Sequence, residues 1–488
     1  MQDTTELDLD LDLSTAARAV DRSRWLALVV LCLGMLMIVL DVTIVNVALP
    51  NIQTQLKFSQ SGLAWVVNAY LIAFGGLLLL AGRLGDLAGR RTVFLAGLAV
   101  FTVASAVCGL SVSQSMLIGA RFVQGIGGAM TSAVILGMIV TLFPSPREMA
   151  KAIGVYAFVA SAGGAVGLLA GGVLTQAINW HWIFFVNIPI GIATVIAAIR
   201  VIPRDQGQGL RGGADVPGAV LIIAAMMLSV FTIVQPAASD GWLAGRTLTF
   251  GAVSLALLAG FVVRQRTAKN PLMPLRILSS RSLVAANLIQ VLSVAGMFGM
   301  FFLGALYLRL VLGYGPLRIG LAFLPVAVAM AVLSVRYTEK LAARFGARST
   351  MIAGLTLITA SLLLFSQAPV HASYLVYVFP VTLLMGAGAG LAFPALMTSA
   401  MSGVSQAEAG LASGLVNTTA QVGGALGLAV LDTVSSGRSS TLAAHGTSQL
   451  TALTDGYHLA FLIAAALAAA AIAVAAIMLR PGRAAASS

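Results

Sequence analysis

Lipid leaves no backbone amide free to bond to water, so a chain that crosses it does so as closed helices, each needing roughly 20 apolar residues for about 30 Å of hydrocarbon. This sequence supplies such runs in succession, at about 25–49, 62–82, 92–110, 115–142, 150–174 and 182–200. Two more, at about 217–237 and 247–263, precede a second set of six at about 282–308, 316–335, 349–366, 372–396, 409–432 and 457–479. Fourteen spans place both ends of the chain on one side. The expected fold class is an all-α integral membrane protein. Its 9% charged and 59% hydrophobic residues fit no soluble domain, which carries about 25% charge.

The formal charge of +12 is explained by orientation. With the termini in the cytoplasm, 22 of the 28 Lys and Arg fall in inside loops or tails and five outside (Lys57, Arg246, Arg309, Arg318, Arg438), with Arg121 left inside a helix. Charge spread over many short loops is no footprint for nucleic acid. Residues 1–24, acidic and then basic, lack the short apolar core and cleavage site of a signal peptide and read as a disordered cytoplasmic tail. Cys32 and Cys108 lie within apolar runs as packing residues, and no His, Cys or carboxylate spacing suggests a metal site.

Gly154, Gly163, Gly164 and Gly167 return 260 residues later as Gly414, Gly423, Gly424 and Gly427. The chain therefore divides into a tail (1–24), a six-helix bundle (25–201), a two-helix insertion with flanking cytoplasmic loops (202–281), a second six-helix bundle (282–480) and a tail (481–488). Repeated bundles with a site between them near the midplane are a common plan of secondary transporters.

Asp41 stands about 15 residues into the first run and nine before Pro50. A carboxylate at that depth costs several kcal/mol unless paired, hydrated or protonated, so it is the candidate proton carrier. Arg121, within the fourth run at comparable depth, is its candidate partner; the alternative is an arginine that snorkels to the outer interface. Between the second and third runs, Gly82, Gly85 and Gly89 frame Asp86, Arg90 and Arg91 in a tight charged loop, the candidate conformational switch, expected to latch the bundles together. Gly163, Gly167 and Gly171 repeat every four residues beside Gly172, the flat surface that close helix contact requires. Gln124, Gln290, Phe298, Phe302, Asn417 and Gln421 are candidate cavity residues, with ordinary packing or interhelical hydrogen bonding as the alternative for each. Asp432 reads as an interfacial, solvated carboxylate or, alternatively, a second acid.

The loop Gly82, Leu84, Asp86, Gly89, Arg90, Arg91, the trio Arg121, Gln124, Gly125, and the stretch Leu40–Pro50 resemble the major facilitator superfamily, in particular its fourteen-helix drug:proton antiporter branch. The segment from Trp180 to Gly191 is similar too, with His181 where the branch usually has Arg. The fifth span departs, with Leu168 after Gly167 where a proline is expected. The resemblance implies two six-helix bundles plus two inserted helices, rocking in alternating access, with Asp41 and Arg121 in proton coupling. It implies export of lipophilic drugs or antibiotics by a monomer in a bacterial cytoplasmic membrane, with no cofactor beyond the proton gradient. No phosphate-binding loop or catalytic cluster suggests an enzyme. Proton-coupled or facilitated import of a nutrient is the alternative left open by the missing proline.

Overall fold

A computed structural model describes residues 2–205, 207, 209, 213–235, 237, 240–402 and 409–479, and every regular element among them is helical. The first bundle consists of α1 (Gln2–Leu56), α2 (Gln60–Ala88), α3 (Arg90–Gly109), α4 (Gln114–Leu142), α5 (Pro146–Ala177) and α6 (Trp182–Val201). The insertion is α7 (Val216–Val234) and α8 (Gly245–Thr267). The second bundle is α9 (Arg281–Val311), α10 (Pro316–Arg336), α11 (Ala347–Phe365), α12 (Tyr374–Met401), α13 (Ala409–Ala444) and α14 (Gln449–Met478). Among the described residues, thirteen of these are long and apolar enough to cross a membrane, and α5, at 32 residues, is the remaining expected span.

Serines set several of the starts. The side chains of Ser59, Ser113, Ser280 and Ser448 accept from the amides of Gly62, Met116, Leu283 and Thr451, satisfying donors that a helix N-terminus leaves free. Gly89, at φ +95°, lets α3 begin directly after α2, and Gly346, at φ +85°, does the same before α11. The two glycines hold corresponding positions in the two bundles, a further trace of the internal repeat.

Three boundaries differ from expectation. The helix of α1 starts at Gln2 rather than after a disordered tail, a stretch in which Leu and Ala favour helix. α13 continues to Ala444, and α14 starts at Gln449 instead of near 457. The polar run Asp432, Thr433, Ser435 and Ser439, which reads as an exit from the membrane, is buried against other helices.

Within each bundle the packing repeats. α1 packs on α5 as α9 does on α13, and α3 on α4 as α11 on α12. The bundles meet where α2 lies along α13 and α5 crosses α10. The latter contact lies at the ends of the helices opposite the termini: a Cβ on Gly172 would come 2.7 Å from Leu317 Cα, and one on Gly320 2.3 Å from the Leu168 carbonyl oxygen. Inserted α7 rests on both α2 and α13, with Ile223 against Gly76 and the Thr433 hydroxyl donating to the Ile233 carbonyl at 3.1 Å.

The insertion is pinned at its base by Asp215, which accepts from Gly218 N (3.1 Å), Arg264 Nε (2.8 Å) and Gln265 Nε2 (2.9 Å). Burial by itself would push this carboxyl up, but those hydrogen bonds hold it below the usual carboxylate value. Its stabilising contribution is thus complete above the unfolded value and is lost as pH falls through the lower, folded one. Asp215→Asn should therefore lower the melting temperature at neutral pH, and the gap to the native protein should begin to narrow only below about pH 4, the unfolded value, and close below the still lower folded value. Thermal unfolding in detergent across that range measures it; a gap unchanged at low pH contradicts the assignment.

Candidate functional site

Five helices of the first bundle converge on one carboxylate. Asp41, on α1, has 0% exposure, and Arg121, on α4, has 1%. Arg121 Nη1 donates to Asp41 Oδ2 at 2.5 Å and to Gln124 Oε1 at 2.6 Å, one turn further along α4. The second oxygen of Asp41 accepts from Gln124 Nε2 at 2.7 Å and from Asn187 Nδ2, on α6, at 3.3 Å. Ser105 Oγ, on α3, accepts from both amides, at 2.6 Å and 3.3 Å. On the far side of the guanidinium, α2 contributes the Val66 carbonyl, which accepts from Arg121 Nε at 3.0 Å, and the Tyr70 ring, whose centroid lies 4.4 Å from Arg121 Cζ.

The physical sense of this cluster is charge cancellation. An isolated ion would not survive in hydrocarbon, whereas an arginine fork matched to a carboxylate, with its remaining donors and acceptors filled, meets the condition for a tolerable buried pair. Sequence depth anticipated the pair. Gln124, expected at a cavity wall, is instead buried inside this cluster and bridges both ions. Ser105, Asn187 and Tyr70 carried no such expectation. Asn187 is a polar residue opening an apolar helix, which is a usable signal; Ser105 is indistinguishable from any packing serine.

The α5 glycines explain how Asp41 is held. Cβ atoms added at Gly163, Gly167 and Gly171 would meet Leu36, Thr43 and Ile44 of α1, and those on Gly167 and Gly171 would lie 3.0 Å from the Leu40 carbonyl and 2.8 Å from the Ile44 carbonyl. α1 is thus seated against backbone on the side facing α5 while Asp41 faces the polar cluster. Gly172 turns instead to α10 of the other bundle.

The charged loop binds within its own bundle and the following linker. Asp86 pairs with Arg90 at 3.2 Å; Arg90 Nη1 donates to the Gly137 carbonyl at 2.8 Å, and Arg91 Nη2 to the Ile199 carbonyl at 2.6 Å. Asp205, after α6, caps α3 by accepting from the amides of Arg90 (2.5 Å) and Arg91 (3.1 Å). A Cβ on Gly85 would strike Val134, whereas Gly82 faces open space. The hydrogen bonds described here do not reach the second bundle, so in this state the loop braces the first bundle rather than latching the two.

The second-bundle candidates gather along α9 and α13. Gln421 faces Gly75 of α2 across the seam; Phe298 lies on Gly424; Phe302 is buried; the Gln290 Oε1 is buried without a partner. Asn417 is exposed and donates back to the Ser413 carbonyl at 3.0 Å. Asp432 departs from the interfacial reading: it is 0% exposed, because α13 carries on past it and α2 covers it. His181 Nδ1 donates to the Gly109 carbonyl at 2.9 Å, tying the start of α6 to the end of α3.

Comparison with known proteins places these features in a wider group. The family description Major Facilitator Superfamily matches residues 31–428. The chain is 36% identical over 471 residues to puromycin resistance protein pur8 of Streptomyces alboniger, covering 95% of this chain and 92% of that one. It is 37% identical over 426 residues to cephamycin export protein CmcT of Amycolatopsis lactamdurans, covering 86% and 87%. The fold is similar, at TM-score 0.65 and 17% identity over 93% of this chain and 96% of the other, to a crystal structure of a bacterial homolog of the human lysosomal transporter Spinster.

Removing one member of a buried ion pair strands the other. Arg121→Met should cost about 3–5 kcal/mol, while Asp41→Asn combined with Arg121→Met should recover much of it, because no buried charge then remains unpaired. Thermal unfolding of the single and double variants in detergent tests this, and a double variant no more stable than Arg121→Met would show that the pairing is not what holds these side chains.

Proposed function

This chain belongs to the Major Facilitator Superfamily, and on that basis we propose that it is a secondary active exporter that expels lipophilic drugs or antibiotics in exchange for protons. It is a transport protein and not an enzyme. The relatives named for puromycin resistance and cephamycin export support the direction and the substrate class. The observation that carries the coupling is Asp41: a fully buried carboxylate, held by an arginine and two amides, at the place where α1 meets α3, α4 and α6.

When Asp41 takes a proton, Arg121 loses its counter-ion but keeps Gln124 Oε1, the Val66 carbonyl and the Tyr70 face. The bond tying α1 to α4 is the one that weakens. Since α1 also lies on α5, and α5 crosses α10, a change at Asp41 is mechanically linked to the contact between bundles. The distribution of Lys and Arg supports cytoplasmic termini. In that orientation the α5–α10 contact closes the outer end while Asp41 is paired with Arg121, the condition in which the carrier has given up its proton. The membrane potential supplies about 2.3 kcal/mol per elementary charge per 100 mV.

In energised everted vesicles, substrate should move into the lumen and trigger proton release from it. Asp41→Asn, which keeps the shape but cannot cycle a proton, should abolish that release while the protein remains folded and inserted. Coupling at the native level in this variant would remove Asp41 as the carrier, and drug flux in the opposite direction would favour import.

Because Arg121 already neutralises Asp41, the interior has little negative charge to spare for a dication, whose desolvation costs several kcal/mol per charge. Matched mono- and bis-quaternary compounds sharing one aromatic body should be exported at clearly different rates, the monovalent compound faster. A preference for the divalent one would require a second acid within reach of the cavity.

A further inference from the structure

Outside the Asp41 cluster, the seam between the bundles hides another carboxyl. Asp432, on α13, has no exposure, and its Oδ1 accepts a single hydrogen bond, from Gln60 Nε2 of α2 at 3.3 Å. Its Oδ2 is buried without a partner, and among the described residues no Lys, Arg or His forms an ion pair with it. Tyr457, on the neighbouring α14, also has a buried and unpartnered hydroxyl, as do Ser435 and Ser436 on α13 itself. α9 and α7 bring neutral neighbours, Gly299 beside Leu431 and the Ile233 carbonyl beside Thr433. Arg438, six residues on, is exposed.

An ionised carboxylate in that setting would be an unpaired charge sealed from water with one neutral donor for company. Proteins avoid this by neutralising the group. A proton on Oδ2 removes the charge from the atom that has no partner. The position matters because the cover over Asp432 comes from the opposite bundle: Gln60 lies at the start of α2, at the end of the molecule where α5 also meets α10. Parting the bundles there admits water to Asp432, and a hydrated carboxyl ionises freely.

We propose that Asp432 is a proton-operated lock on the seam between α2 and α13: it must be protonated for the bundles to close at the end opposite the termini, and it ionises when they open. The proposal rests on the alternating-access reading above but adds a separate site. The carboxylate gains its proton from water on the open face and returns it to the same face. It therefore leaves the proton stoichiometry of export unchanged and makes closure depend on the pH of that face. The acid is distinct from Asp41 in bundle, partner and role.

The test reads conformation, not transport, in purified protein without drug or gradient. Spin labels at Ser61→Cys and Ser440→Cys flank the seam, and native Cys32 and Cys108 are buried. In the otherwise native protein, the inter-label distance should shift from short to long as pH rises. With Asp432→Asn the short distance should persist over the whole range, a complete loss of the pH response. A native protein whose distance ignores pH, or an Asp432→Asn variant that follows the native curve, would each overturn the lock. Should Asp432→Asn fail to fold, Gln60→Lys decides: an ammonium facing the carboxylate should keep the seam shut at high pH, and native-like opening there refutes the proposal. Failure of the export reading would appear in vesicle flux and leave this distance measurement intact.

Discussion

The structure of the first bundle turns on the need to keep one anion and one cation out of contact with lipid. Asp41 and Arg121 are affordable only together, and only if their remaining hydrogen-bonding capacity is filled. That requirement draws in Gln124 from the same helix as Arg121, Ser105 from α3, Asn187 from α6, and a carbonyl and a ring from α2. Each of those helices is thereby fixed in rotation about its own axis. The apolar face of a membrane helix gives almost no such instruction, since Leu against lipid and Leu against Leu differ little. Polar convergence and glycine-mediated backbone approach, as between α5 and α1, supply the specificity that hydrophobic burial supplies in water.

The second bundle repeats the scaffold without the charges. α9 on α13 mirrors α1 on α5, with Gly423 against Val291 and Gly427 against Ala295 where Gly163 and Gly167 meet α1. In place of an ion pair, the Thr419 hydroxyl donates to Asn287 Oδ1, a neutral tie between α13 and α9. The asymmetry is physically useful. A bundle whose internal bonds are uncharged keeps its helix contacts through protonation, so under the proposed coupling a proton arriving at Asp41 would act on the first bundle's contacts and leave those within the second unchanged. Inserted α7 complicates that movement, for it rests on both α2 and α13 and must slide over one of them whenever the seam changes.

Much of this was legible in the sequence, and the misses have a common cause. Apolar length marked the helices because nothing else satisfies the backbone in lipid. The depth of Asp41 and Arg121 in their runs matched them as partners because two opposite charges at one level have few other ways to be tolerated. What the sequence concealed were partners supplied by distant segments. Gly82–Arg91 read as a latch between bundles, yet Arg90 and Arg91 are held by Asp205 beyond α6, and no local pattern announces that contact. Asp432 and the serines after it read as leaving the membrane because polarity usually means water; here it means another helix. Gln124 read as cavity lining because a lone amide in an apolar run gives no hint of whether its partner is a substrate or an ion.

These misses share a direction: polar side chains taken for surface or cavity are committed to interior bonds. Such commitment is what gives a mostly apolar machine its discrete states. Close backbone contacts such as Gly172 on Leu317 or Gly320 on Leu168 hold the bundles together by packing, but packing is indifferent to pH and to drug. A bond whose strength depends on a proton is not. In the proposed mechanism, the buried carboxyls in the first bundle and at the seam would convert a proton's arrival into a preference for one packing over another, because an ionised group enclosed there needs a partner.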